Sequence, residues 1–271
     1  MTVAQWLAAS GLPLAEARAL LAAALGVRRE LLVAYPERAV PDDAGELFAR
    51  FTERRRAGEP LAYLLGVREF YGREFAVGPA VLIPRPETEL LVELALHRVA
   101  RAEAPRIVDL GTGSGCIAIT LALELPHAAV TAIERSAEAL HLARRNAQRL
   151  GAHIELLQGD WYAPLEAERR FDAIVANPPY VAVGDPHLHE GDLRFEPALA
   201  LTDGSDGLAC LRAVVAGAPA HLAAAGWLGV EHGYNQGAAA RELFAAAGFQ
   251  DIATVRDAAG IERVTHGRAP R

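Results

Sequence analysis

Ile107-Val108-Asp109-Leu110-Gly111-Thr112-Gly113-Ser114-Gly115 is the stretch on which the fold turns. Its first four residues are a short run of strand type, and glycines at alternate positions then make a tight turn. From Cys116 to Leu125 the chain reads as a helix, stopped by Pro126. Outward from this unit the pattern alternates. Residues 130–134 predict a second strand, 136–150 a helix, 153–157 a third strand and 171–176 a fourth. A helix over 207–223, a strand over 227–231, a helix over 235–247 and strands near 249–255 and 261–265 complete the count. Strands alternating with helices of this length predict an α/β, doubly wound, mostly parallel sheet. Asp257-Ala258-Ala259-Gly260 is too short for a parallel crossover, so the last two strands are expected to be antiparallel.

Residues 1–65 read as helical. Thr2 and Gln5 match a capping box, Pro13 suits a helix first turn and Gly26 a helix end. A second long helix runs from Asp42 or Asp43 to Arg56, ended by Gly58 and Pro60. The segment holds eight arginines and eight acidic residues, so its net charge is zero and Arg54-Arg55-Arg56 reads as a solvated face. Residues 66–90 change character. Phe70, Tyr71 and Phe75 among glycines suggest a hairpin or extended linker, and Val81-Leu82-Ile83-Pro84-Arg85-Pro86 a stiff strap ahead of a helix. The expected division is thus a helical domain over 1–65, a hairpin and linker over 66–90, and the α/β domain over 91–271.

Composition narrows the function. The 271 residues are 52% hydrophobic, ample for a sizeable core. The longest uncharged stretch, 213–230, is interrupted by Pro219, His221 and glycines, and the N-terminus lacks a basic segment followed by an apolar one. A cytoplasmic protein without membrane partners is expected. Cys116 and Cys210 read as free thiols, and no metal site is expected. Two histidines in Asp185-Pro186-His187-Leu188-His189-Glu190 have no third histidine at helical spacing. The net charge of −7, with arginine as every cationic side chain, opposes direct binding to nucleic acid.

The strand ends carry the chemistry. Gly-x-Gly-x-Gly at 111–115 fits the dinucleotide fingerprint poorly, and Asp109 ahead of it would repel a pyrophosphate but suit a cation. Glu134 ends the second strand, where an acid accepts hydrogen bonds from ribose hydroxyls. Asp160 and Trp161 follow the third strand and offer an acceptor and an apolar wall to an adenine. An adenosine without phosphates but with a positive centre is S-adenosylmethionine. After the fourth strand comes Asn177-Pro178-Pro179-Tyr180, a stiff turn presenting an amide, bare carbonyls and an aromatic face. The planar NH2 of an amide or of a nucleobase suits such a turn.

Together the glycine turn, Glu134 and Asn177-Pro178-Pro179-Tyr180 resemble a class I S-adenosylmethionine-dependent amino-methyltransferase with a Rossmann-like fold. The narrower resemblance is to the HemK/PrmC family of protein-glutamine methyltransferases. It rests on Pro60-Leu61-Ala62-Tyr63 with Gly66, Glu69-Phe70-Tyr71-Gly72, Val81 to Glu89, Glu196-Pro197 and Gly204-Ser205-Asp206-Gly207-Leu208. Glu134 departs from the aspartate usual there and accepts the same bonds from a longer arm. The resemblance implies methyl transfer to the glutamine amide of the Gly-Gly-Gln loop of class I peptide-chain release factors, with S-adenosylhomocysteine as product. It implies cofactor contacts from Asp109, Gly111, Thr112, Gly113, Ser114, Gly115, Glu134, Asp160, Trp161 and Asn177. Asn177, Pro178 and Tyr180 would be catalytic, and Pro179, Arg85 and Thr88 would join them against the substrate. A nucleic-acid adenine amino-methyltransferase shares the tetrapeptide, but the acidic charge weighs against it.

Overall fold

The computed structural model describes residues 1–189 and 191–270, with the side chains of His187 and His189 left aside. The chain opens with a bundle of helices: α1 (Val3–Ala9), α2 (Leu14–Leu25), α3 (Arg29–Ala34), α4 (Asp42–Arg56) and α5 (Leu61–Leu65). The capping box at Thr2 forms, with Thr2 Oγ1 accepting from Gln5 N at 3.3 Å and Gln5 Oε1 accepting from Thr2 N at 2.9 Å. Pro13, Pro41 and Pro60 occupy the N-cap positions of α2, α4 and α5. At a helix start the missing proline N–H removes no hydrogen bond. Leu20, Leu21, Leu32, Phe48 and Leu64 fill the bundle core, and Trp6 meets Phe48 edge-on with centroids 5.9 Å apart. Helices α3 and α5 were not separately foreseen, being too short for a helical period to declare itself.

A hairpin follows, β1 (Val67–Phe70) paired with β2 (Arg73–Ala76). Its two turn residues, Tyr71 at φ 51° and Gly72 at φ 72°, both take the left-handed conformation of a tight hairpin turn. Phe70 and Phe75 are buried against α6 (Glu89–Val99). The rest alternates: β3 (Arg106–Leu110), α7 (Cys116–Glu124), β4 (Ala129–Glu134), α8 (Ala137–Leu150), β5 (Glu155–Gln158), β6 (Phe171–Ala176), α9 (Ala198–Leu201), α10 (Ala209–His221), β7 (Leu222–Glu231), α11 (Gly237–Ala246), β8 (Gln250–Arg256) and β9 (Glu262–Arg268).

The seven strands lie in the order β5-β4-β3-β6-β7-β9-β8. The first five run parallel, while β9 is antiparallel to both β7 and β8. Strand β7 is longer than the expected 227–231, because Ala223, Ala224 and Ala225 carry no strand signal. One face of the sheet packs with Leu91, Val92, Ile117 and Leu121 of α6 and α7, the other with Leu211, Val214, Val215 and Phe244 of α10 and α11. Register fixes the upper edge. Leu110 pairs with both Ile133 and Ala176, and Ala176 pairs with Val230. The next residues, Gly111, Glu134, Asn177 and Glu231, therefore emerge side by side at the carboxyl ends of β3, β4, β6 and β7. Strand order reverses between β3 and β6, the position where open α/β sheets bind ligands. Among the described residues no helix is long and apolar enough to cross a membrane.

Candidate active site

A cavity of about 300 Å³ opens at this switch point. Its floor is the glycine turn. Gly111, Gly113 and Gly115 have φ of 74°, 55° and 84°, a region that side-chain-bearing residues rarely adopt. The turn is sewn to the end of β4: Gly111 N and Thr112 N donate to Ile133 O at 2.9 and 3.0 Å. Gly113 N donates to Glu134 Oε2 at 2.9 Å, and Ser136 N to Glu134 Oε1 at 2.8 Å. Each carboxylate oxygen keeps lone-pair capacity for a ligand hydroxyl. Trp161, at φ 47°, lies along the turn, with Cζ3 3.6 Å from where a Gly111 Cβ would stand.

Of the residues singled out from sequence, Gly111, Thr112, Gly113, Ser114, Glu134, Asp160, Trp161, Asn177, Pro179, Arg85 and Thr88 line the cavity. Asp109 does not, contrary to expectation. It is wholly buried, and its Oδ2 accepts from Thr112 Oγ1 at 2.6 Å and from Ala118 N at 3.3 Å, tying the glycine turn to α7. Burial pushes its pKa up to about 7 against those hydrogen bonds. Gly115 starts α7 beneath the floor, its Cα facing Ile119 and Ala143. Pro178 is buried behind Asn177, outside the lining. Tyr180 also stands outside it. The ring is half-buried beside Gly233, the backbone carbonyl accepts from Gln236 Nε2 at 2.9 Å, and burial raises the phenol pKa.

Asn177 is held from one side. Its Nδ2 donates to Thr88 Oγ1 at 3.1 Å, while its Oδ1 is buried without a hydrogen-bond partner among the described residues. Thr88 heads α6 but makes no side-chain cap bond there, so its hydroxyl serves Asn177 instead of the helix. The strap before it forms one wall, with Pro79, Ala80, Val81, Leu82 and Pro84 in the lining. Two distant residues pin that wall. Tyr63 Oη donates to Val81 O at 2.7 Å, and Glu196 Oε2 accepts from Ile83 N at 2.9 Å while Oε1 takes the Arg85 guanidinium. Burial raises the Glu196 pKa, and Arg85 opposes the shift. Sequence reasoning placed Arg85 at the substrate entrance; its charge is already committed to Glu196. It also missed Ser136, Leu199, Asp203 and Cys210 in the lining, of which Ser136 announced itself as the N-cap of α8.

Asn146 joins this site to the hairpin. Its Nδ2 donates to Ser114 O at 2.8 Å and to Ala76 O at 3.0 Å, and its Oδ1 accepts from Ala76 N at 2.8 Å. Among the described residues no His, Cys, Asp or Glu cluster suits a metal ion. Glu190 of the segment judged from sequence not to bind metal lies outside the described residues, as do the side chains of His187 and His189.

The donor set has a clear preference. Glu134, Glu138, Asp160 and Asp203 line the cavity against Arg135 and the committed Arg85. Such a lining disfavours phosphates and favours a ligand rich in hydroxyl and amino groups with positive charge. S-adenosylmethionine meets that description.

Comparison with known proteins agrees. The family description "Methyltransferase small domain" matches residues 86–190, and "PrmC N-terminal domain" matches residues 2–66. A release factor glutamine methyltransferase of Burkholderia pseudomallei is 51% identical over 99% of this chain and 96% of its own length. One of Neisseria gonorrhoeae is also 51% identical, over 99% and 98%. The fold is shared with a methyltransferase from Pyrococcus furiosus (TM-score 0.57, 17% identity, covering 82% of this chain and 100% of the other). A Thermus thermophilus 16S rRNA methyltransferase in complex with AdoMet and guanosine is similar at a TM-score of 0.56 and 22% identity, over 75% of this chain and 49% of its own. With half its residues identical to these relatives along nearly its whole length, the chain belongs to the release factor glutamine methyltransferase family.

Proposed function

We propose that this chain transfers the methyl group of S-adenosylmethionine to the side-chain amide nitrogen of the glutamine in the Gly-Gly-Gln motif of class I release factors. The observation that carries this reading is Asn177, whose Nδ2 is bound to Thr88 and whose Oδ1 is left unpartnered beside the cavity. A buried acceptor without a partner is costly, and a ligand N–H relieves it.

Bound S-adenosylmethionine supplies an electrophilic methyl group on a sulfonium. The chain supplies position. Glu134 and Asp160, in the cavity lining, would hold the nucleoside as hydrogen-bond acceptors, and Trp161 would wall the base. An amide nitrogen is a poor nucleophile because its lone pair is delocalised into the carbonyl. Asn177 Oδ1 accepts one of its hydrogens, which fixes the amide against the methyl group and stabilises positive charge as it develops. Pro178, buried behind Asn177, stiffens the turn that presents it. Tyr180, whose ring stands outside the cavity lining, braces the tetrapeptide through the bond its backbone carbonyl accepts from Gln236. No base is needed before transfer, because the methylated nitrogen sheds its proton readily. Orientation of this kind supplies roughly 7–11 kcal/mol.

A lone glutamine offers little binding energy, so recognition falls to a remote surface, and the α1–α5 bundle is our candidate. The test offers labelled S-adenosylmethionine together with a release factor, the same factor with its loop glutamine changed to alanine, or duplex DNA. Label in the first alone is expected. Label in DNA alone would leave the cavity chemistry standing and overturn the substrate.

A further inference from the structure

Among the described residues three acids are buried: Asp109 ties the glycine turn to α7, Glu196 holds the strap, and Glu231 has neither duty. Glu231 ends β7 beside Asn177, as the Ala176–Val230 register requires, and is 2% exposed. Thr88 and Asn177 both stand close enough to its carboxylate to favour its charged form, and its Oε2 has no hydrogen-bond partner among the described residues. We infer that Glu231 is a positioning residue that sets the orientation of the Asn177 amide, holding Nδ2 inward so that Oδ1 is left for the substrate.

The argument is one of donors and acceptors. An ionised carboxylate accepts and cannot donate. Facing it, the single Thr88 hydroxyl proton points to Glu231, and the Thr88 lone pairs are turned toward Asn177. Asn177 then presents its NH2, as its bond to Thr88 Oγ1 records. Protonated, Glu231 donates to Thr88, Thr88 donates to Asn177, and the favoured amide orientation reverses. The substrate would then meet Nδ2, a donor facing donors. The charged and titratable groups around Glu231 are Arg263 on β9, Glu87 ahead of α6, Tyr180 after β6 and Cys116 at the start of α7. Burial outweighs the hydrogen bonds from Thr88 and the attraction of Arg263, raising the Glu231 pKa to about 7. The switch therefore falls near neutrality, with the productive orientation on the alkaline side.

This inference rests on the proposed methyl transfer at Asn177, and its test separates the two. Full-length wild-type protein and Glu231→Gln are compared in single-turnover methylation of a release factor across pH about 5 to about 9. Wild type is expected to lose rate as pH falls through about 7. Glu231→Gln is expected to be about 10–100-fold slower at high pH, as a misplaced group costs, with the acid limb gone and S-adenosylmethionine affinity by calorimetry unchanged. An acid limb and rate equal to wild type in the variant overturn the inference. The second readout needs no activity. The side-chain amide resonances of Asn177, assigned by their loss in Asn177→Asp, are followed by ¹⁵N NMR over the same range. They are expected to titrate in wild type and to stay still in Glu231→Gln; resonances that do not move in wild type overturn the inference. Failure of wild type to methylate any release factor overturns the substrate reading alone, since the NMR titration still decides the role of Glu231.

Discussion

At the end of β6 the Asn177 side chain commits its Nδ2 to Thr88 and leaves Oδ1 unpartnered. Asn177→Ala is expected to keep fold and cofactor affinity while lowering kcat by about 10²–10³, the cost of losing one preorganised polar group. Steady-state kinetics beside calorimetry would show this, and an unchanged kcat would sink the assignment. Asp109 belongs to the same scale. Its folded pKa, about 7, lies above its ordinary 3.8, so the folded chain holds a proton that the unfolded chain releases. The stability this confers is complete below pH 3.8 and is lost as pH rises through about 7. Glu231 adds to the same slope. Asp109→Asn is expected to flatten part of the decline in urea-unfolding free energy over that window; a slope equal to wild type would refute the buried, proton-holding state. The sequence announced an acid ahead of the glycine turn but not its direction. In a strand buried on both faces, a side chain reaches the cavity or the core according to twist and neighbours, neither of which a local pattern carries.

The strap shows what is invisible to local reading at the scale of an element. Its prolines declared a stiff extended piece, but Tyr63, Val81, Ile83 and Glu196 meet across 111–113 residues of separation in the case of the Glu196 bonds. No periodicity encodes such a meeting. Nor does it encode the single-turn helix at Pro86–Thr88 or α9, which are too short for a repeat. The Glu196 side chain is fully buried, and Arg85 is its counter-charge. Arg85→Ala strands that carboxylate and is expected to destabilise the chain by about 3 kcal/mol, as breaking a buried pair from one side does. The KM for S-adenosylmethionine should rise with it, because the strap is a cavity wall. Urea melts and cofactor titration would check both; an unaltered melting curve would mean that Glu196 is relieved some other way.

For the whole molecule, the strand–helix alternation and the antiparallel last pair were legible because buried strands and amphipathic helices each carry their own period. The order β5-β4-β3-β6-β7-β9-β8 was not, since pairing between distant strands depends on three-dimensional packing. The docking of the helical bundle on the sheet was equally hidden. Arg55 of α4 joins Glu16 of α2 at 2.6 Å to Asp192 at 3.2 Å, and Arg194 reaches Ala57 O at 2.6 Å. One arginine of a triplet that read as a solvated face, Arg55, thus ties the bundle to the segment that follows β6, while Arg54 and Arg56 bond within the bundle. We expect Arg55→Ala to raise the KM for a release factor roughly fivefold, since a part-exposed pair contributes about 1 kcal/mol. The kcat should hold, because no residue of α4 lines the cavity. Equal KM values in variant and wild type would remove this tie from recognition.

Asn146 carries a last consequence. The same buried amide grips the main chain of the glycine turn at Ser114 and the hairpin strand at Ala76. Any ligand that quiets the turn therefore quiets the hairpin, by sharing one rigid side chain. The amide proton of Ala76, outside the cavity lining, becomes a clock for occupancy. Its exchange with deuterated solvent should slow when S-adenosylmethionine is added, and Asn146→Ala should break that correspondence, since local opening at β2 would no longer wait on the turn.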